Sequence, residues 1–132
     1  MMIEDLVVKT QRTEELVDLT DRLQQVVRQS GVQQGVCCVF VPHTTAGVTI
    51  NEHADPDVVI DLLSALREMV PADRPWRHGE GNSPAHVKAS LMGADQRVWI
   101  QDGTLDLGTW QGVFFCEFDG PRTRRVRVRI SS

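Results

Sequence analysis

Tyrosine is missing from this chain of 132 residues and aromatic residues make up only 5% of it, which leaves little with which to build a platform for stacked bases. Nucleic acid is therefore not an expected partner. Cysteine is scarce as well: Cys37, Cys38 and Cys116 cannot all pair within one chain, and adjacent residues on a strand point to opposite faces. A disulfide framework is excluded. No apolar run approaches the roughly 18 residues that a helical membrane span requires, and the start, MMIEDLVVKT, has acids where a secretory signal would be basic and then apolar. The chain reads as cytoplasmic, with no membrane partner. It also has no internal repeat and no low-complexity segment.

What is there suits one globular unit. A chain of 132 residues falls within the roughly 100–200 residues of a single domain, so residues 1–132 are read as one domain. Its 41% hydrophobic and 24% charged residues are ordinary globular values. The charge is unevenly placed. Of 14 basic residues, five are arginines after Pro121, whereas all 18 acids precede it, so an acidic body with a balance of −9 ends in a basic tail. Within that tail Arg125, Arg127 and Arg129 alternate with Val126, Val128 and Ile130, the pattern of a strand with one buried face. The three arginines then form a solvated face or a subunit contact.

Hydrophobic periodicity and turn residues predict the elements. Ile3–Lys9 reads as a strand, and Thr13 as the N-cap of a helix carrying Leu16, Leu19, Leu23, Val26 and Val27 up to Gly31. Gly35–Val41 is a continuous apolar run closed by Pro42, as in a central strand, and Gly47–Ile50 is a second short strand. Asp55-Pro56 pairs a capping acid with an N1 proline ahead of a helix whose apolar face is Val58, Val59, Leu62, Leu63, Leu66, Met69 and Val70. Ser83-Pro84 opens a third helix that Gly93 closes, and Arg97–Gln101, Val113–Phe118 and Thr123–Ile130 complete the strands. This order favours an α+β domain over strict alternation of strand and helix.

All four histidines lie between positions 43 and 86. His43 follows the central strand, where its imidazole would sit at the mouth of the sheet. His86 falls in the first turn of the third helix, where the positive end of the helix dipole disfavours imidazolium. His78 precedes a flexible Gly79-Glu80-Gly81-Asn82 link and can fold back toward His86. Together the three can serve as ligands of a catalytic metal such as Zn²⁺ with one position left open, although their spacing is no recognised signature and each also has an ordinary structural reading. His53 lies between Glu52 and the cap Asp55, which favours a structural role for it. The glycine-rich link running into Asn82 and Ser83 can cradle a phosphate against free helix N–H groups. Asn51 and Glu52, with Asp55 and Asp57, can hold Mg²⁺ against a diphosphate, though Asp55 is better explained as the cap. Trp110 and Gln111, between Gly108 and Gly112, suit stacking on and reading a flat heterocycle; a core or interface tryptophan is the competing explanation. The cysteines read as core residues.

Taken in order, His43-Thr44-Thr45-Ala46-Gly47-Val48-Thr49-Ile50-Asn51-Glu52, Asp55-Pro56, His78 with Glu80-Gly81-Asn82-Ser83, Ala85-His86-Val87-Lys88, and Gly108-Thr109-Trp110-Gln111-Gly112 followed by Glu117 resemble the YjbQ-like family of secondary thiamine-phosphate synthases. The resemblance spans essentially the whole chain. It implies an α+β fold with a barrel-like or sandwiched, mostly antiparallel sheet and about three helices, assembled as a homotrimer. It also implies a weak coupling of a pyrimidine diphosphate to a thiazole phosphate with release of pyrophosphate, the substrates being small phosphorylated heterocycles. The residues it points to are His43, Asn51, Glu52, His78, His86 and Gln111. This chain has His53 where an asparagine commonly follows the Asn-Glu pair, so no role is carried over to that position. On this reading His43, His86 and Glu52 are catalytic, while Asn51, Asn82, Ser83, Trp110 and Gln111 contact substrate. A metal-dependent hydrolase or metal-binding protein built on His43, His78 and His86 is the alternative, and a non-catalytic ligand-binding or assembly protein is a third.

Overall fold

The alternation in the arginine-rich tail decides which way the largest sheet faces. In the computed structural model, which describes residues 1–132, the tail is strand β8 (Thr123–Ser131). Val126, Val128 and Ile130 are fully buried, and Arg125, Arg127 and Arg129 point outward. Strand β8 pairs with β1 (Met2–Lys9) on one side and with β3 (Gln34–Phe40) on the other. Strand β3 continues to β5 (Asp95–Gln101), and β5 to the two-residue β6 (Thr104–Leu105). The apolar run at 35–41 therefore sits at the middle of a five-stranded sheet, as its composition predicts. Asp102 and Gly103 both take positive φ, 52° and 73°, as a two-residue hairpin turn between right-twisted strands requires.

A second, three-stranded sheet has the order β2 (Glu15–Asp18), β7 (Gln111–Glu117), β4 (Ala46–Glu52). Every pairing in both sheets is antiparallel. Three helices complete the α+β domain: α1 (Thr20–Ser30), α2 (Pro56–Met69) and α3 (Ser83–Met92). The main core lies between the sheets and under α1, with Val48, Val113 and Phe115 meeting Val39, Val98, Val126 and Val128, and with Leu19, Leu23, Val26 and Val27 closing one end. Each such side chain, fully buried, stabilises the fold by about 1.5–3 kcal/mol. Strand β7 is covered on both sides, because Cys116 and Phe118 pack in a smaller cluster with Leu66, Ala85 and Ala89 of α2 and α3.

The first helix does not start where Thr13 suggests. Residues 15–18 form β2, with Leu16 and Val17 opposite Cys116 and Phe115 of β7, and α1 begins at Thr20. Pairing with a strand buried on both faces outweighs the helical periodicity that Leu16 shares with Leu19 and Leu23. Asp18 supplies the start signal instead, its Oδ1 accepting from the Thr20 N–H at 2.9 Å and from the Thr20 hydroxyl at 2.6 Å. Asp55 behaves as expected, accepting the Asp57 N–H at 2.9 Å with Pro56 leading α2. The apolar face of α2 is only partly covered: Leu66 and Val70 are buried, whereas Met69 is 68% exposed. Cys37 and Cys116 are core residues as expected, but Cys38 is half-buried on the outer face, opposite Arg97 and Arg129.

Gly47 fixes the seat of α3. A Cβ there would stand 2.8 Å from the Gly93 carbonyl oxygen and 3.0 Å from the Met92 Cβ, and that same carbonyl accepts the Val48 N–H at 3.1 Å. Gly47→Ala is expected to push α3 off β4 and to lower the unfolding free energy by about 1–3 kcal/mol, as overpacking does. Urea denaturation checks this, and an unchanged midpoint would show that α3 is free to shift.

Candidate functional site

Strand β3 must stop at Pro42, which has no N–H for a ladder, and the chain crosses to β4 through His43-Thr44-Thr45. Two neighbours hold this crossing. The Arg125 N–H donates to His43 Nε2 at 3.0 Å, and Arg124 Nη2 donates to the Thr45 hydroxyl at 2.9 Å. With Nε2 accepting, the neutral ring carries its proton on Nδ1. Burial, and then the charge of Arg124, hold the His43 pKa below the ordinary 6.5, so this imidazole is neutral at pH 7.

Beneath the crossing lies a fully buried ion pair. Glu117, at the end of β7, accepts from Arg124 Nε at 2.9 Å and also from Arg124 Nη2. It accepts further from the Thr10 hydroxyl at 2.8 Å and the Asp119 N–H at 3.1 Å. Burial alone would raise its pKa, but these hydrogen bonds and the guanidinium charge outweigh burial and hold it below the ordinary 4.5.

Helix α3 brings the second wall. Asn82 is its N-cap and Pro84 its N-terminal proline, and His86 lies in the first turn. The loop before it is anchored by Trp76, whose indole N–H donates to the Pro71 carbonyl at 3.2 Å while Arg74 lies over the ring. His78 then returns to meet His86 edge to face, ring centroids 5.3 Å apart. Asn82 Nδ2 donates to Asp119 Oδ2 at 3.0 Å, and Arg122 Nη2 donates to the same oxygen at 3.1 Å.

These groups border two adjoining hollows of about 470 Å³ each that share Thr44 and His86. His43, Ala46, Ala89 and Ser90 help to line one. The other has no apolar lining and is bounded also by Thr45, His78, Glu80, Asn82, Asp119 and Arg122. The structure thus brings His43, His78, His86 and Asn82 to one cleft, with Ser83 following Asn82 at the head of α3. It adds Thr44, Thr45, Asp119 and Arg122, which sequence reasoning passed over. Asp119 and Arg122 flank Gly120-Pro121, and a turn after a strand buried on both faces must emerge at an end of the sheet, here the end that carries His43.

Four other expected residues lie elsewhere. Strand β4 leads away from His43, and at about 3.3 Å per residue Glu52 is roughly 20 Å beyond Ala46. There Glu52 pairs with Gln111, and Asn51 with Gly112. Gln111 Oε1 accepts the Gly108 N–H at 2.8 Å, Asn51 Oδ1 accepts the Glu52 N–H at 2.7 Å, and Trp110 is 63% exposed. His53 sits beside them in a structural role. Its Nδ1 is 2.9 Å from Asp18 Oδ2, and its ring lies where a Cβ on Gly112 would be, 2.6 Å away. Within one chain Glu52 cannot act on a molecule held between His43 and His86. No three His, Cys, Asp or Glu side chains are grouped to hold a metal ion; a three-histidine centre is thus not preformed in the single chain. No helix is long and apolar enough to cross a membrane.

Residues 4–132 match the family model described as UPF0047 protein YjbQ-like. Among curated relatives, the UPF0047 protein YugU of Bacillus subtilis is 45% identical over 130 residues, covering 98% of each chain. A UPF0047 protein of Methanocaldococcus jannaschii is 50% identical over 123 residues, covering 93% of this chain and 89% of the relative. A crystal structure of an uncharacterized YjbQ/UPF0047 protein from Clostridium acetobutylicum superposes with a TM-score of 0.95 at 50% identity, covering 97% of this chain and 99% of that one. A hypothetical protein from Aeropyrum pernix gives a TM-score of 0.95 at 34% identity, covering 100% and 99%.

Proposed function

The chain belongs to the YjbQ-like UPF0047 family, and on that premise we propose that its cleft binds a small phosphorylated heterocycle and couples it to a second one. The reaction is thiamine-phosphate formation, run as a weak or secondary activity. One observation carries this reading: His43, His78, His86 and Arg122 converge with the head of α3 on a single polar cleft. The Arg122 guanidinium and the N–H donors gathered this way suit a diphosphate, whose charge a divalent cation would bridge to Glu80 and Asp119. In the reaction the bond between the pyrimidine methylene carbon and the diphosphate oxygen breaks, and its electron pair leaves with pyrophosphate. The thiazole nitrogen lone pair forms the new C–N bond. No proton need be removed, so the protein has only to neutralise the leaving oxygen and to hold two rings in line. Arg122 and His86 serve the first, and the backbone at Asn82 and Ser83 docks the phosphate. Purified untagged protein, given both substrates and Mg²⁺, is expected to release pyrophosphate in step with thiamine phosphate. Absence of product at enzyme-stoichiometric concentrations would overturn the reading.

The metal-dependent hydrolase has one observation in its favour, the contact between the His78 and His86 rings with Glu80 Oε2 3.9 Å from His78 Nε2. Elemental analysis separates the two. A stoichiometric transition metal that disappears in His78→Ala and His86→Ala favours the hydrolase.

We propose further that the working form is a homotrimer, as the resemblance implies. The outer face of the five-stranded sheet supports self-association, since it presents Trp99 at 69% and Ile3 at 61% exposure among Arg125, Arg127 and Arg129. Charge reversal at Arg127 or Arg129 is expected to shift sedimentation to a smaller species. An unchanged species would mark these arginines as a solvated face.

A further inference from the structure

Two incomplete halves of a site lie at opposite ends of the three-stranded sheet. The cleft at His43 and His86 holds ionic and acid-base groups, but one of its two hollows has no apolar lining and the other offers no apolar side chain larger than alanine against which a ring could stack. At the other end Trp110 is 63% exposed beside Gln111, Asn51 and Glu52, yet none of these residues borders a cavity. The first half lacks a ring clamp, and the second lacks a pocket. Strand β4 keeps them roughly 20 Å apart, so no side-chain motion within one chain can join them.

The two ends carry different groups as well. Asp18, Asp55 and Asp57 stand near Glu52 at the aromatic end. The cleft end instead gathers three histidines with Arg122, which is paired to Asp119, and with Glu80. Unlike ends on one molecule make a heterologous, head-to-tail contact, and such contacts close into rings when the rotation permits. We infer that the cleft is completed in trans: the Trp110 end of a second copy of this chain, carrying Asn51, Glu52 and Gln111, seats over the His43–His86 cleft of the first. The ring of a bound substrate then stacks on the neighbour's indole while its phosphate stays with the histidines. This deepens the coupling reading and rests on it for the identity of the substrate, but the contact itself can be tested without any activity.

Two measurements distinguish the failures. Trp110→Cys and Glu80→Cys are made singly, each on a Cys38→Ser background, mixed, and treated with a short bismaleimide. A cross-linked dimer is expected from the mixture and not from either variant alone at the same concentration, whether or not the protein turns over substrate. A mixture that exchanges subunits, as shown by mass, and gives no heterologous cross-link would overturn the inference. The second measurement uses coupling turnover. His86→Ala and Glu52→Gln are each expected to be inactive alone. In a ring assembled at random from equal amounts, about one site in four takes its histidine and its glutamate from intact chains, so about a quarter of wild-type activity should return. A mixed assembly that stays inactive beside an active wild type refutes completion in trans and leaves the coupling reading intact. An inactive wild type with a positive cross-link refutes the coupling reading and leaves the contact intact.

Discussion

Arg124→Ala is expected to lower the unfolding free energy by about 3–5 kcal/mol, the usual consequence of leaving one member of a buried ion pair without its partner. The guanidinium is 2% exposed and Glu117 is fully buried, so water cannot replace what is lost. Glu117 would retain only the Thr10 hydroxyl and the Asp119 N–H. Arg124→Lys should recover part of the loss, because an ammonium restores the charge but not the fork that reaches both carboxylate oxygens and Thr45. Arg124→Met combined with Glu117→Gln should be milder than Arg124→Ala, since it removes both charges. Urea titrations of the set check this, and an Arg124→Ala variant within 1 kcal/mol of wild type, on the scale of an exposed pair, would show that water reaches the carboxylate. The pH dependence has a definite sign. The folded-state pKa of Glu117 is lowered from 4.5, so its contribution is present in full above the unfolded value and is lost as pH falls through the folded one. Stability measured from pH 6 downward should therefore decline more steeply in wild type than in Glu117→Gln.

That pair also shows why the chain could be read only in part from its residues. Alternation along Arg125–Ile130 is a local property, and it correctly separates the outward arginines from the inward valines. Arg124 obeys the same alternation and falls on the inner face, but what makes an inward arginine tolerable is Glu117 on a different sheet. Tertiary partners of this sort leave no trace in spacing. The same holds at residues 15–18, where helical periodicity and strand pairing compete and the buried neighbour β7 decides. Asp55-Pro56 was legible because a cap acts within three residues, and Gly35–Val41 because a continuous apolar run marks a central strand, although its outer face at Val36, Cys38 and Phe40 is only partly covered.

The candidate site divides along similar lines. His43, His78 and His86 stand out by clustering in sequence, and the fold does bring them to one cleft. Arg122 and Asp119 do not stand out, since nothing local says at which end of the sheet the intervening Gly120-Pro121 turn emerges. Glu52 and Asn51 stand close to His43 in sequence, but an extended strand converts nine residues into a long separation, whereas a helix would have kept them near. Sequence proximity suggested one site. Strand geometry places these residues at opposite ends of one sheet.

His86→Ala is expected to reduce the turnover number for coupling by about 10²–10⁴-fold, the range for a positioned acid or base. Its ring borders both hollows, and no other side chain does so except Thr44, so replacement by water would leave the leaving oxygen with Arg122 alone. A hundredfold loss is about 2.7 kcal/mol of transition-state stabilisation, and it should appear in kcat with little change in KM if the ring acts on developing charge and not on ground-state docking. His43 should behave differently. Its pKa is lowered from 6.5 by burial and by the charge of Arg124, and the neutral form is the one that accepts the Arg125 N–H through Nε2. Lowering the pH should leave His43 neutral until below 6.5, and only then should the ring charge and the His43 crossing loosen. An acid limb of the rate profile below pH 6.5 is therefore assigned to His43. In His43→Gln, which keeps an acceptor for Arg125 but cannot titrate, that limb should flatten while activity at pH 7.5 is partly retained. Full activity in purified His86→Ala would remove the imidazole from the chemistry, and an unchanged acid limb in His43→Gln would assign the titration to another group.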